Sequence, residues 1–342
     1  MNIKRPILVN TKPRPDLRRY GIQIPLLISR SASIINHLNQ NVTVNKQFQR
    51  NQLLWNPSAI DWTLLSSTHT QDFIAQLQDP AGQEQAIMTC YELMDANGQP
   101  RRYDRSTAEL PLRDLVKAQL EEASGTIEAA RNASRHGFCY YLGGGMHHAM
   151  PHCGRGFCLV NDIVIAARYA QARQSGTVWV IDVDAHKGDG TAVCTKDDPS
   201  IKTLSVHMAK GWPLDEGETL FDGSSNLGHT PSDIDIPIAS GEEAAYNSKL
   251  ASGLDALRSS SNPILAIVVN GSDPYERDAL PSTKPLQMTA EQLLQRDKLI
   301  YNFLSHLGIP QLWVMAGGYG EEVWRIHASF LADILSSVPS SD

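Results

Sequence analysis

The stretch Val178-Trp179-Val180-Ile181-Asp182-Val183-Asp184-Ala185-His186 decides the fold class of this chain. An apolar run passes into Asp182, Asp184 and His186, which occupy every second position. Because successive side chains of a β-strand point to opposite faces, these three can line one face at the strand's carboxyl end. Ligands of open α/β sheets bind at that end, and two carboxylates with an imidazole suit zinc or a similar divalent metal. The stretch therefore indicates an α/β fold with a metal-dependent hydrolytic site.

Length and composition are those of a soluble globular protein. The chain has 342 residues, of which 42% are hydrophobic and 20% charged, with a formal net charge of -7. Without a basic block, direct nucleic-acid binding is not expected, because it needs a surface that neutralises phosphates. Five cysteines with no CxxC pair argue against a disulfide framework or a cysteine-based zinc site. No apolar run has the length of a signal peptide or membrane span, so we expect a cytoplasmic protein without membrane contact.

Short apolar runs alternate with helical patterns from residue 138 onward, which is typical of βα units and a mostly parallel sheet. The predicted strands cover 138–142, 178–184, 202–207, 264–270 and 312–316. The predicted helices lie near 111–133, 161–174, 242–258 and 290–307. Because no repeat, linker or composition shift divides the chain, residues 1–342 are expected to form one domain.

Local signals fix some element boundaries better than others. The helix near 290–307 is well marked, because Thr289 and Gln292 fit a capping box and Gly308 with Pro310 end it. Residues 96–106 are charged and loop-like. Before residue 55, short helical pieces are predicted only from scattered apolar residues, namely Leu26, Leu27, Ile28, Ile34, Ile35 and Leu38.

Polar residues and glycines follow four of the predicted strands. Each group also has an explanation without catalysis: paired histidines could lie on the surface, carboxylates could cap a helix, and a glycine turn could pack an aromatic ring. Parallel strands, however, place their carboxyl ends on the same edge of the sheet, so all four groups should meet there. The four groups are Gly143 to His148, Asp182 to Thr191, Gly271-Ser272-Asp273 and Gly317-Gly318-Tyr319.

These motifs, in this order, resemble those of the zinc-dependent histone deacetylase family. That family includes bacterial histone-deacetylase-like amidohydrolases and acetylpolyamine amidohydrolases. The resemblance covers roughly residues 130–335, and the first 130 residues contribute little to it. The matching blocks are Gly143-Gly144-Gly145-Met146-His147-His148, Gly156-Phe157-Cys158 with Asn161-Asp162, Asp182 to Thr191, Gly271-Ser272-Asp273 and Gly317-Gly318-Tyr319.

The resemblance implies an arginase–deacetylase fold, which is a single α/β domain with about eight mostly parallel strands between helices. It also implies zinc as cofactor, and potassium binding behind the zinc. Carried over residue by residue, the roles fall as follows. The zinc ligands would be Asp184, His186 and Asp273. The catalytic histidines would be His147, partnered by Asp182, and His148, partnered by Asp189. The hydroxyl of Tyr319 would stabilise the transition state.

Substrate and cation residues also follow from the resemblance. The Gly156 carbonyl would receive the substrate amide, Phe157 and Trp212 would wall an acyl-lysine tunnel, and Leu280 would lie at its rim. The expected monovalent-cation site comprises Asp182, Asp184, His186, Ser205 and Val206, and a second such site comprises Thr195, Asp198 and Ile201. Two departures stand out: Lys187 replaces a usual His or Arg, and the segment 274–278 is idiosyncratic.

The function expected from these residues is removal of acetyl or other acyl groups from the ε-amine of lysine in proteins or peptides. An alternative is an acetylpolyamine or other small-molecule deacylase, for which residues 86–108 could supply an entrance loop. A binuclear manganese ureohydrolase would need further Asp and His ligands that these strands lack. An inactive acyl-lysine binding module is the alternative of another class. The oligomeric state stays open.

Overall fold

The computed structural model describes residues 4–26, 28–58, 60–95, 97–215, 217, 225–259 and 262–337. In this part of the chain, eight strands form one sheet in the order β2-β1-β3-β8-β7-β4-β5-β6, and every neighbouring pair is parallel. The strand bounds are β1 Ile7–Asn10, β2 Gln52–Trp55, β3 Phe138–Tyr141, β4 Val178–Asp182, β5 Ile201–Met208, β6 Ile234–Ile238, β7 Leu265–Val269 and β8 Gln311–Val314.

Helices cover both faces of this sheet. Along β4, Trp179 and Ile181 belong to one buried apolar cluster, whereas Val178 and Val180 belong to another on the opposite face. Burial on both faces explains why the central strands are apolar throughout. The described helices are α1 Arg30–Gln40, α2 Asn45–Asn51, α3 Trp62–Leu65, α4 Gln71–Gln78, α5 Pro80–Cys90, α6 Asp114–His136, α7 Asp162–Gln171, α8 Asp189–Thr195, α9 Tyr246–Arg258, α10 Ala290–His306 and α11 Trp324–Ser336.

The strand order places the polar loops together. Strands β3, β8, β7 and β4 are consecutive in the middle of the sheet, although they are far apart in sequence. The four loops that follow these strands carry His147-His148, Tyr319, Asp273 and Asp184 respectively. Because all the strands are parallel, these loops lie on one edge of a single domain, as the sequence predicts.

The five predicted strands are confirmed, but three strands were not predicted. β1 and β2 have only four residues each, and β2 is a half-buried edge strand. β6 is the other edge strand, and it carries Pro237 and a mostly intermediate burial pattern. Short edge strands need neither a long apolar run nor a proline-free sequence, so they leave a weak signal.

The helix predictions are confirmed except near the N-terminus. Ile34, Ile35 and Leu38 lie in α1, but Leu26 and Ile28 do not lie in a helix, and Leu27 falls outside the described residues. Ile28 is solvent-exposed, so its apolar character gave a misleading signal. The capping box at the start of α10 is present, with both of its hydrogen bonds formed. Among the described helices, none is both long and apolar enough to cross a bilayer.

Candidate active site

Asp184, His186 and Asp273 form a buried cluster where β4 and β7 end. Their potential ligand atoms all lie within 4.8 Å of one another. The His186 Nδ1 atom is 3.3 Å from Asp184 Oδ1 and 3.1 Å from Asp273 Oδ2. Burying two carboxylates side by side is costly unless a cation lies between them. The cluster therefore fits a divalent metal bound by two carboxylates and one imidazole.

Neighbouring groups orient the cluster. The Gly317 N–H donates to Asp184 Oδ2 at 3.0 Å, and the Ala185 N–H donates to Asp273 Oδ1 at 3.0 Å. His186 Nε2 lies 3.0 Å from the Ser282 hydroxyl, which leaves Nδ1 as the atom facing the carboxylates. A Cβ at Gly317 would lie 2.4 Å from Asp184 Oδ2, so a side chain there would displace the carboxylate. Such contacts fix ligand orientation, as hydrogen bonds around metal ligands generally do.

The two histidines beside the cluster are each tied to a carboxylate. His147 Nδ1 is 2.7 Å from Asp182 Oδ2, and His148 Nδ1 is 2.6 Å from Asp189 Oδ1. The ring centroids of the two histidines lie 3.8 Å apart. All four side chains are buried. The pairing is the one expected from the family resemblance, and it leaves His147 Nε2 facing the metal cluster, 3.6 Å from Asp184 Oδ1.

Gly144, Gly145 and Met146 shape the turn that delivers these histidines from β3. Gly144 and Gly145 adopt φ angles of 72° and 89°, a conformation that favours glycine. The N–H groups of Gly145 and Met146 both donate to the buried carboxylate of Asp162, at 3.0 and 2.7 Å. The histidine pair is thus held on a rigid loop, because its backbone donors are bound to one carboxylate.

The two histidines differ in protonation. Burial disfavours charge on His147, but the adjacent Asp182 and Asp184 carboxylates outweigh it and raise its pKa to about 9. Burial and the nearby His147 lower the pKa of His148 to about 3, although Asp189 opposes this shift. At neutral pH, His147 is therefore cationic and His148 neutral. Neutral His148 donates its Nδ1–H to Asp189, so its Nε2 is an acceptor.

Tyr319 faces the same cavity. It lines an interior space of about 120 Å³ together with both histidines, Asp184 and His186. Burial and the Asp273 carboxylate raise the pKa of the Tyr319 phenol well above its usual range. The hydroxyl is therefore protonated at neutral pH and available as a hydrogen-bond donor.

Comparison with known proteins fits this geometry. The sequence model of the histone deacetylase domain matches residues 25–334. This chain belongs to the histone deacetylase family. The match begins well before residue 130, so the expectation that the first 130 residues contribute little is wrong. They supply β1, β2 and part of the cavity wall.

Individual relatives in this histone deacetylase family are distant. An uncharacterized protein of Picosynechococcus is 33% identical over 211 residues, which cover 61% of this chain and 65% of that protein. The acetoin utilization protein AcuC of Staphylococcus aureus is 31% identical over 196 residues, or 54% of this chain and 47% of the relative. The chain thus matches about half to two thirds of these relatives' length. The crystal structure of the HDA15 HD domain superposes with a TM-score of 0.63 at 15% identity, covering 99% of this chain and 89% of that one.

The residues expected from the family to form the substrate tunnel lie together. Phe157, Trp212 and Leu280 line a space of about 270 Å³ above His148 and His186. The Trp212 ring is 4.5 Å from the His148 ring, although its spacing in the sequence departs from the family pattern. A Cβ at Gly156 would lie 2.4 Å from the Trp212 ring and 2.7 Å from the His148 ring, so only glycine fits there.

The residues of the expected monovalent-cation sites are also grouped. Asp182 and Ser205 are register partners on β4 and β5, beside the backbone of Val206. At the second site, the Asp198 N–H donates to the Thr195 carbonyl, and the Asp198 carboxylate pairs with Arg168. Potassium binding at either site stays a prediction.

Lys187, which departs from the family pattern, is buried and paired with a carboxylate. Its ammonium lies 2.6 Å from Asp235 Oδ2 in a largely buried ion pair. The pair connects the loop after β4 with edge strand β6. A lysine is tolerated at this position because a carboxylate meets it there.

Several residues at this site were not predicted from the sequence. Arg155 lies 3.1 Å from Asp189 Oδ2 and 5.1 Å from the centre of the Trp212 ring. Ser282 contacts His186, and Asp278 contacts the Tyr319 backbone. These residues lie in loops of unremarkable composition, so no spacing signal marks them. Asp278 belongs to the segment 274–278, which looked merely idiosyncratic.

Proposed function

We propose that this protein is a zinc-dependent amide hydrolase that removes acetyl or other acyl groups from the ε-amine of lysine in proteins or peptides. One observation carries the proposal: the Asp184, His186 and Asp273 cluster shares a cavity with two carboxylate-bound histidines and with Tyr319. A metal site, a base and an oxyanion donor in one cavity are the components that amide hydrolysis requires.

The histidines divide the proton transfers. Zinc, when bound, supplies Lewis acidity toward the amide carbonyl and the attacking water. Neutral His148 accepts the water proton at Nε2, because its Nδ1–H is committed to Asp189. The resulting His148 imidazolium then returns this proton to the leaving amine. Cationic His147, held by Asp182, stabilises the negative charge that develops beside it.

Tyr319 acts on the carbonyl oxygen. Its hydroxyl is protonated at neutral pH, and it donates a hydrogen bond to the oxyanion as negative charge develops. The flanking Gly317 and Gly318 allow the loop to approach the cluster closely, since larger residues would clash with Asp184 and Ser272. Tyr319 therefore stabilises the transition state more than the bound substrate.

The substrate proposal depends on the tunnel. Phe157 and Trp212 present aromatic rings, which suit the apolar methylene stem of lysine, and the carbonyl of Gly156 is a candidate acceptor for the substrate amide. Arg102 lies over the Phe157 ring at 5.4 Å.

Potassium at the site of Asp182 and Ser205 is also part of this proposal, and it would neutralise charge behind the metal cluster.

The alternative substrate is an acetylated polyamine. Residues of the 86–108 segment do line the entrance, which favours a restricted substrate. However, Arg101 and Arg102 share the single carboxylate of Glu92, at 3.7 and 2.7 Å. Asp215 also lines this space, so its two carboxylates balance its two guanidiniums, and charge alone does not disfavour a polycation. We place acyl-lysine peptides first because the aromatic rings of Phe157 and Trp212 suit an apolar lysine stem, and acetylated polyamines stay the alternative.

Metal analysis combined with kinetics tests the proposal. We expect one zinc per purified chain, turnover of an acetyl-lysine peptide, and slower turnover of acetylated polyamines. Asp184→Ala and Asp273→Ala should each abolish zinc retention, because each removes one of three ligands. Asp255→Asn on the exposed side of α9 serves as the matched control. If zinc-loaded protein binds acetyl-lysine peptide without hydrolysing it, the inactive binding module is supported instead. Near-stoichiometric zinc in either alanine variant would refute the ligand assignment.

A further inference from the structure

The carboxylate of Asp278 connects two loops of the candidate active site. Its Oδ2 atom accepts the backbone N–H of Tyr319 at 2.7 Å, and its Oδ1 atom accepts the N–H of Leu280 at 2.8 Å. In the reverse direction, the Ala279 N–H donates to the Tyr319 carbonyl at 3.0 Å. The loop after β7 and the loop after β8 are therefore joined by hydrogen bonds in both directions.

Asp278 is buried and lies outside the metal cluster. Its side chain is 2% exposed, and the group of potential metal ligands among the described residues does not include it. The Thr283 hydroxyl lies 3.4 Å from Oδ1, and the Lys284 ammonium donates to the Asp278 carbonyl. A buried carboxylate whose two oxygens each accept a backbone N–H holds those two groups at a fixed separation.

We propose that Asp278 is a positioning residue, which fixes the Tyr319 backbone and links it to Leu280 at the tunnel rim. This proposal rests on the proposed function, because it gives Asp278 its effect through the Tyr319 hydroxyl. The reasoning is geometric: the ring of Tyr319 extends from the same backbone whose N–H Asp278 holds. Displacement of a catalytic group by about 1 Å can cost ~10²-fold in rate.

Asp278→Asn tests this claim with almost no change in volume. An asparagine offers one carbonyl oxygen, whereas the two N–H groups require an acceptor on each side, so one N–H must face an amide NH₂. We expect kcat to fall about tenfold or more, with KM changing less and zinc content unchanged. Asp255→Asn, the same substitution at an exposed site on α9, should match wild type.

A double-mutant cycle separates positioning from general damage. If Asp278 acts through the Tyr319 hydroxyl, then Asp278→Asn should cost little in a Tyr319→Phe background, where that hydroxyl is absent. An extra loss below about twofold there would support the proposal. Equal losses in both backgrounds would overturn it, because Asp278 would then act by another route.

Hydrogen exchange keeps the test independent of activity. Loss of one acceptor should speed exchange of the Tyr319 amide, in a peptide covering 317–320, or of the Leu280 amide, in a peptide covering 279–282, and unchanged exchange of both amides would contradict the proposal. If wild-type protein hydrolyses no acyl-lysine peptide, the proposed function fails while this measurement still decides the positioning claim. If Asp278→Asn does not fold, Thr283→Val removes a hydroxyl that lies 2.8 Å from the Leu280 carbonyl and 3.4 Å from the same carboxylate, and it should shift kcat and exchange in the same direction by a smaller factor.

Discussion

His147 and His148 are adjacent in sequence, yet the surrounding charges give them opposite protonation states. Two carboxylates, Asp182 and Asp184, lie near His147, whereas His148 has Asp189 on one side and cationic His147 on the other. The two carboxylates keep the proton on His147, whereas burial and the neighbouring positive charge keep it off His148. This asymmetry makes His148 the better base for water.

Replacing each histidine tests this division. His148→Ala should reduce kcat by about 10²–10⁴-fold, the usual contribution of a general base. His147→Ala should reduce it less, because His147 contributes charge rather than the first proton transfer. Both variants should retain zinc, which metal analysis would verify. Small and equal losses of turnover in the two variants would contradict the assignment of the base.

Tyr319→Phe tests the oxyanion donor. The substitution removes a hydroxyl while the ring keeps its edge contact with Phe157, whose centroid lies 6.1 Å away. Zinc content and unfolding temperature should stay near wild type, and the single-turnover rate constant should fall by ~10²–10³-fold. If Tyr319 merely packs in a glycine-rich turn, the rate should stay within about threefold of wild type, or ~0.7 kcal/mol in barrier.

Secondary-structure elements explain why some of this site could be predicted and some could not. The alternation of Asp182, Asp184 and His186 can be recognised in the sequence, because side chains at every second position of a strand point to the same face. Asp273 was expected beside them because parallel strands share an edge. By contrast, Ser282 and Asp278 reach the site through irregular loops, whose path depends on tertiary packing. The strands β2 and β6 were missed for the related reason that edge strands are held by their neighbours more than by their own apolar pattern. β1 lies between β2 and β3, and its four residues are too few to give a periodic signal.

Helix α10 supports both loops that carry the proposed metal ligands. The Arg296 guanidinium on α10 is fully buried, and its Nη1 donates to the carbonyls of Val183 and Gly271, each at 2.9 Å. Its Nε donates to Asp297 Oδ1 at 2.8 Å. These carbonyls lie one and two residues before Asp184 and Asp273. One side chain therefore holds the two ligand loops at a fixed distance from each other.

Arg296→Lys should weaken this support while it preserves the positive charge. A lysine ammonium carries all its donors on one nitrogen, whereas Arg296 serves the two carbonyls through Nη1 and Asp297 through Nε, so at least one of these three acceptors loses its partner. We expect the free energy of unfolding to drop by roughly 2 kcal/mol and zinc affinity to fall about tenfold or more. Urea unfolding and competition with a zinc chelator would measure the two effects. Lys298→Arg, at a half-exposed site of the same helix, should leave both unchanged. If the helix has only a packing role, Arg296→Lys should lower stability but leave zinc affinity unchanged.

At the scale of the whole molecule, His69 binds two loops that lie 81 and 92 residues further along the chain. Its Nδ1 lies 3.0 Å from the Met150 carbonyl, just after the histidine pair, and its Nε2 accepts the backbone N–H of Asn161 at 3.0 Å. These partners require neutral imidazole with the proton on Nδ1. Burial lowers the pKa of His69 to about 4, from 6.5. Protonation therefore opposes the folded state.

The sign of the pH effect follows from this shift. Above pH 6.5 the imidazole is neutral in both folded and unfolded chains, and the His69 contribution to stability is complete. As the pH falls from 6.5 toward 4, the unfolded chain binds a proton that the folded chain does not, so stability is lost. Between pH 7 and pH 5 this one group should lower the free energy of unfolding by about 2 kcal/mol.

His69→Gln tests this expectation, because glutamine does not titrate in this range. The variant should be less stable than wild type at pH 7, having lost the paired contacts to Met150 and Asn161. Its further loss on acidification to pH 5 should be smaller than that of wild type by about 2 kcal/mol. His306→Gln, at an exposed site on α10, should keep the wild-type slope. Urea unfolding of metal-free protein at pH 7, 6 and 5 gives both slopes. Parallel slopes for wild type and His69→Gln would mean that His69 titrates in the folded chain as it does in water, and that the loops around Met150 and Asn161 do not depend on its neutral form.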